Sequence, residues 1–410
     1  MASFPLPLTE LFGQYGSYAV YALIGIAFGM TLESAGFGNS TKLAAQFYFK
    51  DMRVFKVMFT AIIVAMALIF LSSAIGLLDY NLIWVPPTYL WPGIVGGLIM
   101  GVGFIVGGFC PGTSLVGFAT GKVDAIFFVM GVLFGIFMFG ETINSYAVFF
   151  DSSYMGRFTL PELFNVSYGT VVVGIVVAAL VIFIIAEKVE GAVNNKPATR
   201  FPAWSKPASA ALVAMAVASL AIGQPDNSDR WQSIAAENQP KLDERKVQIA
   251  SAELLNLMHD SKLKIIPLDV RPEQYYNQFH LHGAVHLPID QVLEKATDLQ
   301  FELANTVFVV MSNDEAEATE AWKILKAESV PNVYILEGGI NKWLDTYASD
   351  SFREENRIRL RELEQLAYRF DAATGSRHHA AEPNPDLLNL EYEPKVILEL
   401  KRAPVSGGCG

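Results

Sequence analysis

The amino-acid sequence predicts a polytopic α-helical membrane domain with an internal parallel repeat, followed by a small α/β domain. Three observations carry this. From Met1 to about Gly223 charges are scarce and apolar runs of bilayer length recur. After Gln224 the chain is charged and holds all six histidines. In the apolar half a set of positions recurs at a constant offset of about 72 residues. The chain-wide figures, 410 residues, 52% hydrophobic, 17% charged and net charge −11, average two unlike halves. The acidity belongs mostly to the second half and argues against nucleic acid as a partner.

Candidate spans are Tyr18 to Leu32, Val57 to Leu78, Leu90 to Val106, Ala125 to Phe139, Gly169 to Ala186 and Ala208 to Gly223. Several fall short of the roughly 20 residues a bilayer demands, which implies broken or tilted helices. The N-terminus lacks a basic region and a small-residue cleavage site, so the first span is expected to stay in the mature protein. Lys42, Lys50, Arg53 and Lys56 follow the first span, Lys122 the third, and Lys188, Lys196, Arg200 and Lys206 the fifth. The loops after the second and fourth spans hold only Arg157 between them. The positive-inside rule then places the lysine-rich loops in the cytoplasm and both termini outside, with the α/β domain periplasmic in a double-membrane bacterium. The expected divisions are a membrane domain at 1–223, a polar linker at 224–247, the α/β domain at 248–350, and a helix, a strand and a flexible tail at 351–410.

The repeat pairs Gly25, Gly29, Gly36, Phe37, Thr41, Lys50, Val57 and Met58 with Gly97, Gly101, Gly108, Phe109, Thr113, Lys122, Val129 and Met130. Two such units entering from one side are related by an axis along the membrane normal, and transporters built this way bind substrate at the repeat interface. The first unit reads ESAGFGNST, with Glu33, Gly36, Phe37 and Gly38; the second reads VGGFCPGTS, with Gly108, Phe109, Cys110, Pro111, Gly112 and Thr113. Pro111 suits the first turn of a new helix, which puts Cys110 at its N-terminus, where N–H groups and the dipole favour negative charge. Glu33, an ionisable residue in or at the end of a span, is a functional candidate by default. The chain has only two cysteines, the second being Cys409 in SGGCG.

These elements, over about residues 17 to 145, resemble the YeeE/YedE sulfur-transport family. The resemblance implies uptake of thiosulfate or a related sulfur species through membrane cysteines, with Cys110 at a family cysteine position. Gly38 stands where many relatives carry the first unit's cysteine, so a second protomer or a partner subunit is expected to supply the missing thiol. Implied partners are membrane lipid, a sulfur-compound anion, and membrane or periplasmic proteins or a second copy of the chain. The competing expectation is an accessory membrane subunit of a larger respiratory or sulfur-metabolising assembly.

The polar stretch 224–247 reads as a tether. From about Ile249 to Tyr347 short β-branched runs alternate with helical stretches, as in a parallel α/β domain. LDVRPEQYYNQFHLHGAVHLP and VYILEGGINKW there closely resemble the rhodanese domain. The resemblance implies a catalytic cysteine after the strand TVFVVM and an arginine in the following loop, but Ser312 and Glu317 stand there. A serine oxygen cannot hold a persulfide, and Asp314, Glu315 and Glu317 repel thiosulfate, so no sulfurtransferase activity is expected and the domain reads as a docking platform. Asp269 and Arg271 are expected to brace the sheet edge and this loop. His280, His282 and His286 straddle a loop and a strand without a second ligand cluster, and His378 and His379 sit in a polar linker, so neither a metal nor a cofactor is expected. FREENRIRLRELEQLAYRFDAA reads as a charged helix with an apolar stripe from Ile358 to Phe370, and YEPKVILELKRAP as a strand. The ending VSGGCG resembles the GGCGG arm of the SoxY-type sulfur carrier, which implies a mobile, sulfur-bearing Cys409.

Overall fold

A computed structural model describes residues 4–399, apart from 84, 196–202, 301, 304 and 361. Cys409 and its glycine arm lie outside the described residues. The chain divides after Gln224 into two compact units.

The first unit is helical throughout. Its elements are α1 (Leu8–Ala35), α2 (Ser40–Ala45), α3 (Arg53–Ala74), α4 (Leu90–Gly107), α5 (Pro111–Ala119), α6 (Val123–Thr142), α7 (Ala147–Phe150), α8 (Leu160–Phe164), α9 (Tyr168–Val193) and α10 (Ser205–Ile222). Among the described residues six helices are long and apolar enough to cross a membrane, the third being α4 and α5 together across the break at Cys110. These helices turn their apolar side chains outward, Leu98 being 68% and Phe127 69% exposed. In water that surface would be untenable; against lipid tails it is the ground state. Helix α9 runs past its apolar window because Glu187 and Glu190 fall within its last turns, and α3 begins ahead of its window, at Arg53, and takes in Lys56.

Helices α3, α9 and α10 form one cluster around Ile63, Ala67, Val172, Val176 and Ala216. A side chain at Gly169 would strike the α10 backbone at Leu220, so glycine there sets how closely the two helices approach. The lysine-rich end of this cluster is clamped by ion pairs from Lys56 to Glu187 and, at 3.6 Å, to Glu190, whose carboxylate also accepts the Met52 N–H at 3.3 Å. A second cluster joins Phe37, Leu43, Val54, Phe109 and Ala125.

The second unit starts with α11 (Asn227–Asp243), in the stretch the sequence marks as a tether. Asp226 caps it through the Asp229 N–H at 2.8 Å, and Trp231 and Leu242 pack on the α/β core. The polar composition misleads there because two well-spaced apolar residues suffice to dock an otherwise solvated helix. There follow β1 (Gln248–Ile249), α12 (Ser251–Met258), β2 (Lys264–Asp269), α13 (Glu273–Gln278), β3 (Val285–His286), α14 (Val292–Gln300), β4 (Thr306–Met311), α15 (Ala316–Ala327), β5 (Val333–Leu336), α16 (Gly339–Tyr347) and α17 (Asp350–Asn356). The strands form one parallel sheet in the order β1-β5-β4-β2-β3. All six residues of β4 are buried, as a central parallel strand covered on both faces requires.

Two expectations for the C-terminal segment are corrected. The charged helix stops at Asn356; the chain reverses through Glu364, at φ 57°, and returns as a hairpin with Ile358 N–H donating to Ala367 O at 2.9 Å. Burial of Leu366, Ala367 and Tyr368 in the core outweighs the helical spacing, and Leu363 is left 81% exposed. Of the expected strand at 392–404, residues 400–404 lie outside the described residues, and 392–399 form no ladder. Side chains hold it instead, as Glu253 accepts the N–H groups of Lys395 and Val396, and the Tyr334 hydroxyl and Asn332 amide bind Ile397 and Glu399. Residues 357–399 thus strap the α/β core.

Gly339 marks where this core is tightest. Its φ is 60°, and a side chain would strike the carbonyls of Asp314 and Ser312, which bound the loop after β4. Gly339→Ala is expected to destabilise this unit by roughly 1–3 kcal/mol, read as a lowered midpoint in thermal unfolding; an unchanged midpoint would show that the loop yields freely.

Candidate functional site

The two motif loops of the membrane unit are built alike. Helix α1 ends on Gly36 at φ 84°, and α4 ends on Gly108 at φ 72°. Both turns need the left-handed region, which glycine enters without strain. Phe37 and Phe109 follow, 3% and 0% exposed, in the same apolar cluster. Asn39 then caps α2 by accepting from Thr41 and Lys42, and Cys110 caps α5. The Thr113 N–H donates to Cys110 Sγ at 3.4 Å, while Thr113 Oγ1 accepts the Cys110 N–H at 2.9 Å and lies 3.3 Å from the sulfur. Pro111 occupies the first turn of α5. The thiol is therefore held among donors at a helix N-terminus, with Cys110 partly exposed.

Polar contacts join the loops. Lys122 Nζ donates to Gly38 O at 2.7 Å and lies 3.7 Å from Glu33 Oε1. Ser40 Oγ donates to Asp124 Oδ2 at 2.6 Å, and a side chain at Gly108 would press on Ser40. A side chain at Gly38 would meet the Glu33 carboxylate and the Lys122 ammonium. A residue larger than glycine at 38 therefore has to displace Glu33, which gives a physical reason for the glycine there. Glu33, Gly36, Phe37, Gly38, Gly108, Phe109, Cys110 and Thr113 all lie in this paired-loop region, and Gly112 lies in the first turn of α5.

In the α/β unit the loop after β4 is filled from within. The Glu364 carboxylate accepts the Ser312 hydroxyl, the Asn313 N–H and the Glu317 N–H, each at 2.9 Å, and the Asp314 N–H at 3.4 Å. Asp269 and Arg271 are fully buried and paired at 2.6 Å, and Arg271 Nη1 donates to Asn313 Oδ1 at 3.1 Å, tying the end of β2 to this loop. The open depression beside it, about 680 Å³, is lined by Asp314, Glu315, Glu317 and Glu320. Burial, and after it the neighbouring Asp314 carboxylate, push Glu364 up to about 7. Asp314 falls to about 2: burial opposes its ionisation, but its hydrogen bond with Glu364 and the N–H groups of Ala316, Glu364 and Glu315 outweigh that cost.

The histidines have structural occupations. His280 and His286 sandwich the Tyr276 ring at 3.9 and 4.5 Å and face the carbonyls of Tyr276 and Arg271. His378 is not in a solvated linker; it packs among Phe279, Phe352 and Phe370. Sequence reasoning missed Glu364, hidden in a run of charges, and missed Lys122, Ser40 and Asp124 as partners of the motif loops.

A group whose pKa is raised by folding adds stability below its unfolded value and loses it as pH rises through the folded one. Through Glu364, the stability of the α/β unit falls as pH rises from 4.5 to about 7, whereas Asp314 acts between 3.8 and about 2. In Glu364→Gln the fall across the higher window is expected to shrink in denaturant unfolding followed against pH, and equal slopes in both proteins would refute the assignment.

Among known families, residues 34–231 match the family described as Sulphur transport and residues 250–346 the Rhodanese-like domain. No curated protein and no solved structure matches. The chain is thus a multi-pass membrane domain of the sulphur-transport family joined to a rhodanese-like domain.

Proposed function

We propose that the membrane unit carries a small sulfur anion, thiosulfate or a close relative, past the paired loops, with the Cys110 thiol in contact with the passing anion. Membrane transport of a sulfur species follows from the family; the observation that carries the finer reading is the seating of the only cysteine among the described residues at the N-terminus of α5, between Thr113 donors. Lys122 and Lys42 stand at the same loops, where Lys42 folds over Gly36. Their charge offsets part of the cost of bringing an anion to an apolar region. The match of both loops in turn, cap and buried phenylalanine supports a duplicated unit. The positive-inside distribution supports a plasma-membrane protein of a bacterium with its paired loops toward the cytoplasm and its rhodanese-like domain outside.

In this reading the rhodanese-like domain is a docking module rather than a sulfurtransferase. Ser312 stands at the nucleophile position with its hydroxyl bound to Glu364, and four carboxylates rim the approach. Cys409 serves as a mobile thiol that brings sulfur to the assembly, a role that rests on the sequence alone. A second copy of the chain is the favoured membrane partner, because Gly93, Gly97 and Gly101 leave one face of α4 open to close helix approach.

In vesicles loaded with the full-length protein, uptake of radiolabelled thiosulfate is expected to fall by about tenfold or more in Cys110→Ala, the scale of losing one contact to a charged group. Cys110→Ser, which keeps a donor but not sulfur, separates hydrogen bonding from sulfur chemistry. Uptake untouched by Cys110→Ala would exclude the thiol route.

A further inference from the structure

At the face of the membrane unit opposite the paired loops, the connection 75–89 is zipped to the connection 143–167. Thr88 N–H donates to Gly156 O at 2.8 Å, Met155 N–H to Thr88 O at 2.9 Å, and the rings of Tyr89 and Tyr154 pack at 5.3 Å. Arg157 is the sole lysine or arginine of both connections. Its guanidinium lies 4.7 Å from the centroid of the Tyr80 ring, within a nest in which Phe70, Tyr80 and Tyr168 pack at 5.2 to 5.8 Å.

Stacking on Tyr80 uses the face of the guanidinium. The edge is another matter: Nε and Nη2 are both buried, and neither has a hydrogen-bond partner among the described residues. These two nitrogens lie on one side of the group, and their parallel N–H bonds form the fork that matches two oxygens of one anion. The nearby acids do not fill it. Glu162 accepts the Thr159 N–H at 2.9 Å, Asp79 accepts the Asn81 N–H at 2.9 Å, and no carboxylate pairs with Arg157 among the described residues. The phenols of Tyr80 and Tyr168 lie within electrostatic reach of the guanidinium and offer further donors.

We propose that the Nε–Nη2 edge of Arg157, backed by Tyr80 and Tyr168, is a binding site for a small sulfur oxyanion on the face away from the lysines. The proposal rests on the reading of the membrane unit as a sulfur-anion transporter and assigns that function its first point of recognition. A guanidinium backed by aromatic rings is shielded from water, and a fork left unpaired favours a planar or tetrahedral group of paired oxygens over a halide.

The test uses the full-length protein in lipid nanodiscs, with equilibrium binding of radiolabelled thiosulfate, unlabelled sulfate and chloride as competitors, and uptake measured in parallel. Wild type is expected to bind thiosulfate saturably, with sulfate competing and chloride not. Arg157→Gln is expected to weaken binding by about tenfold or more, and Arg157→Lys, which keeps the charge but loses the fork, to recover only part of it. Binding by folded Arg157→Gln within about twofold of wild type, or no saturable binding by wild type, overturns the site. Arg157-dependent binding without uptake by wild type leaves the site standing and sinks the transport reading alone.

Discussion

The structure of the membrane half turns on one constraint: wherever a span breaks inside an apolar layer, the backbone groups released at the break need partners that water cannot supply. One span breaks, between α4 and α5, and the end of α1 is built the same way: at each an αL glycine, a buried phenylalanine and a capping side chain absorb the loose ends. Lys122 completes the arrangement by placing its ammonium on the Gly38 carbonyl, within 3.7 Å of Glu33. A partly exposed pair of this kind contributes little to stability. Its consequence is geometric: it fixes one loop against the base of the other, and Ser40 with Asp124 repeats the tie. Cys110 is held by this lattice, so its position is a by-product of satisfying the broken backbone.

Much of this was legible in the sequence. The six apolar segments, the parallel α/β pattern and the helix start at Pro111 follow from local composition and spacing, and the loop bearing Ser312 from the resemblance to the rhodanese domain. What escaped prediction depends on distant partners. Residues 227–243 carry a polar composition, and only the surface offered by α15 and Leu325 makes Trp231 and Leu242 a docking pair. Ile358 to Phe370 present a helical stripe that never forms, because reversing at Glu364 buries Leu366 and Tyr368 more fully than a docked helix would. The match of Glu364 to the loop after β4 spans about fifty residues and has no local trace.

The occupation of that loop bears on what the α/β unit does. Successive backbone N–H groups at the start of a helix form an anion site, and one carboxylate takes the N–H groups of Asn313, Asp314 and Glu317 together with the Ser312 hydroxyl. An external anion must displace Glu364, which is part of a strap held by Leu366, Tyr368 and Asn341 as well as by the loop. Displacement therefore costs the strap's burial in addition to the hydrogen bonds. The same tethering keeps the acidic rim of Asp314, Glu315, Glu317 and Glu320 beside a loop that is already filled.

In the proposed transport reading, electrostatics divide the membrane unit into two unlike ends. Lysines gather at the paired loops, where Lys56 is consumed by Glu187 and Glu190 while Lys42 and Lys122 stay near the motif. The other end offers one guanidinium on an aromatic bed. A doubly charged anion between the two finds attraction at each and an apolar interior whose desolvation cost rises steeply with charge. In that reading lysines alone would hold the anion at one end, and a forked site at the far end gives it a second place to dwell. Movement then depends on what lies between the ends, and the sulfur of Cys110 would add a soft, polarisable contact at the paired loops, where hydrogen-bond donors to oxygen would bind sulfate and thiosulfate alike. In that reading a sulfane sulfur is told from an oxygen by such an atom, which a serine or threonine at the cap of α5 would lack.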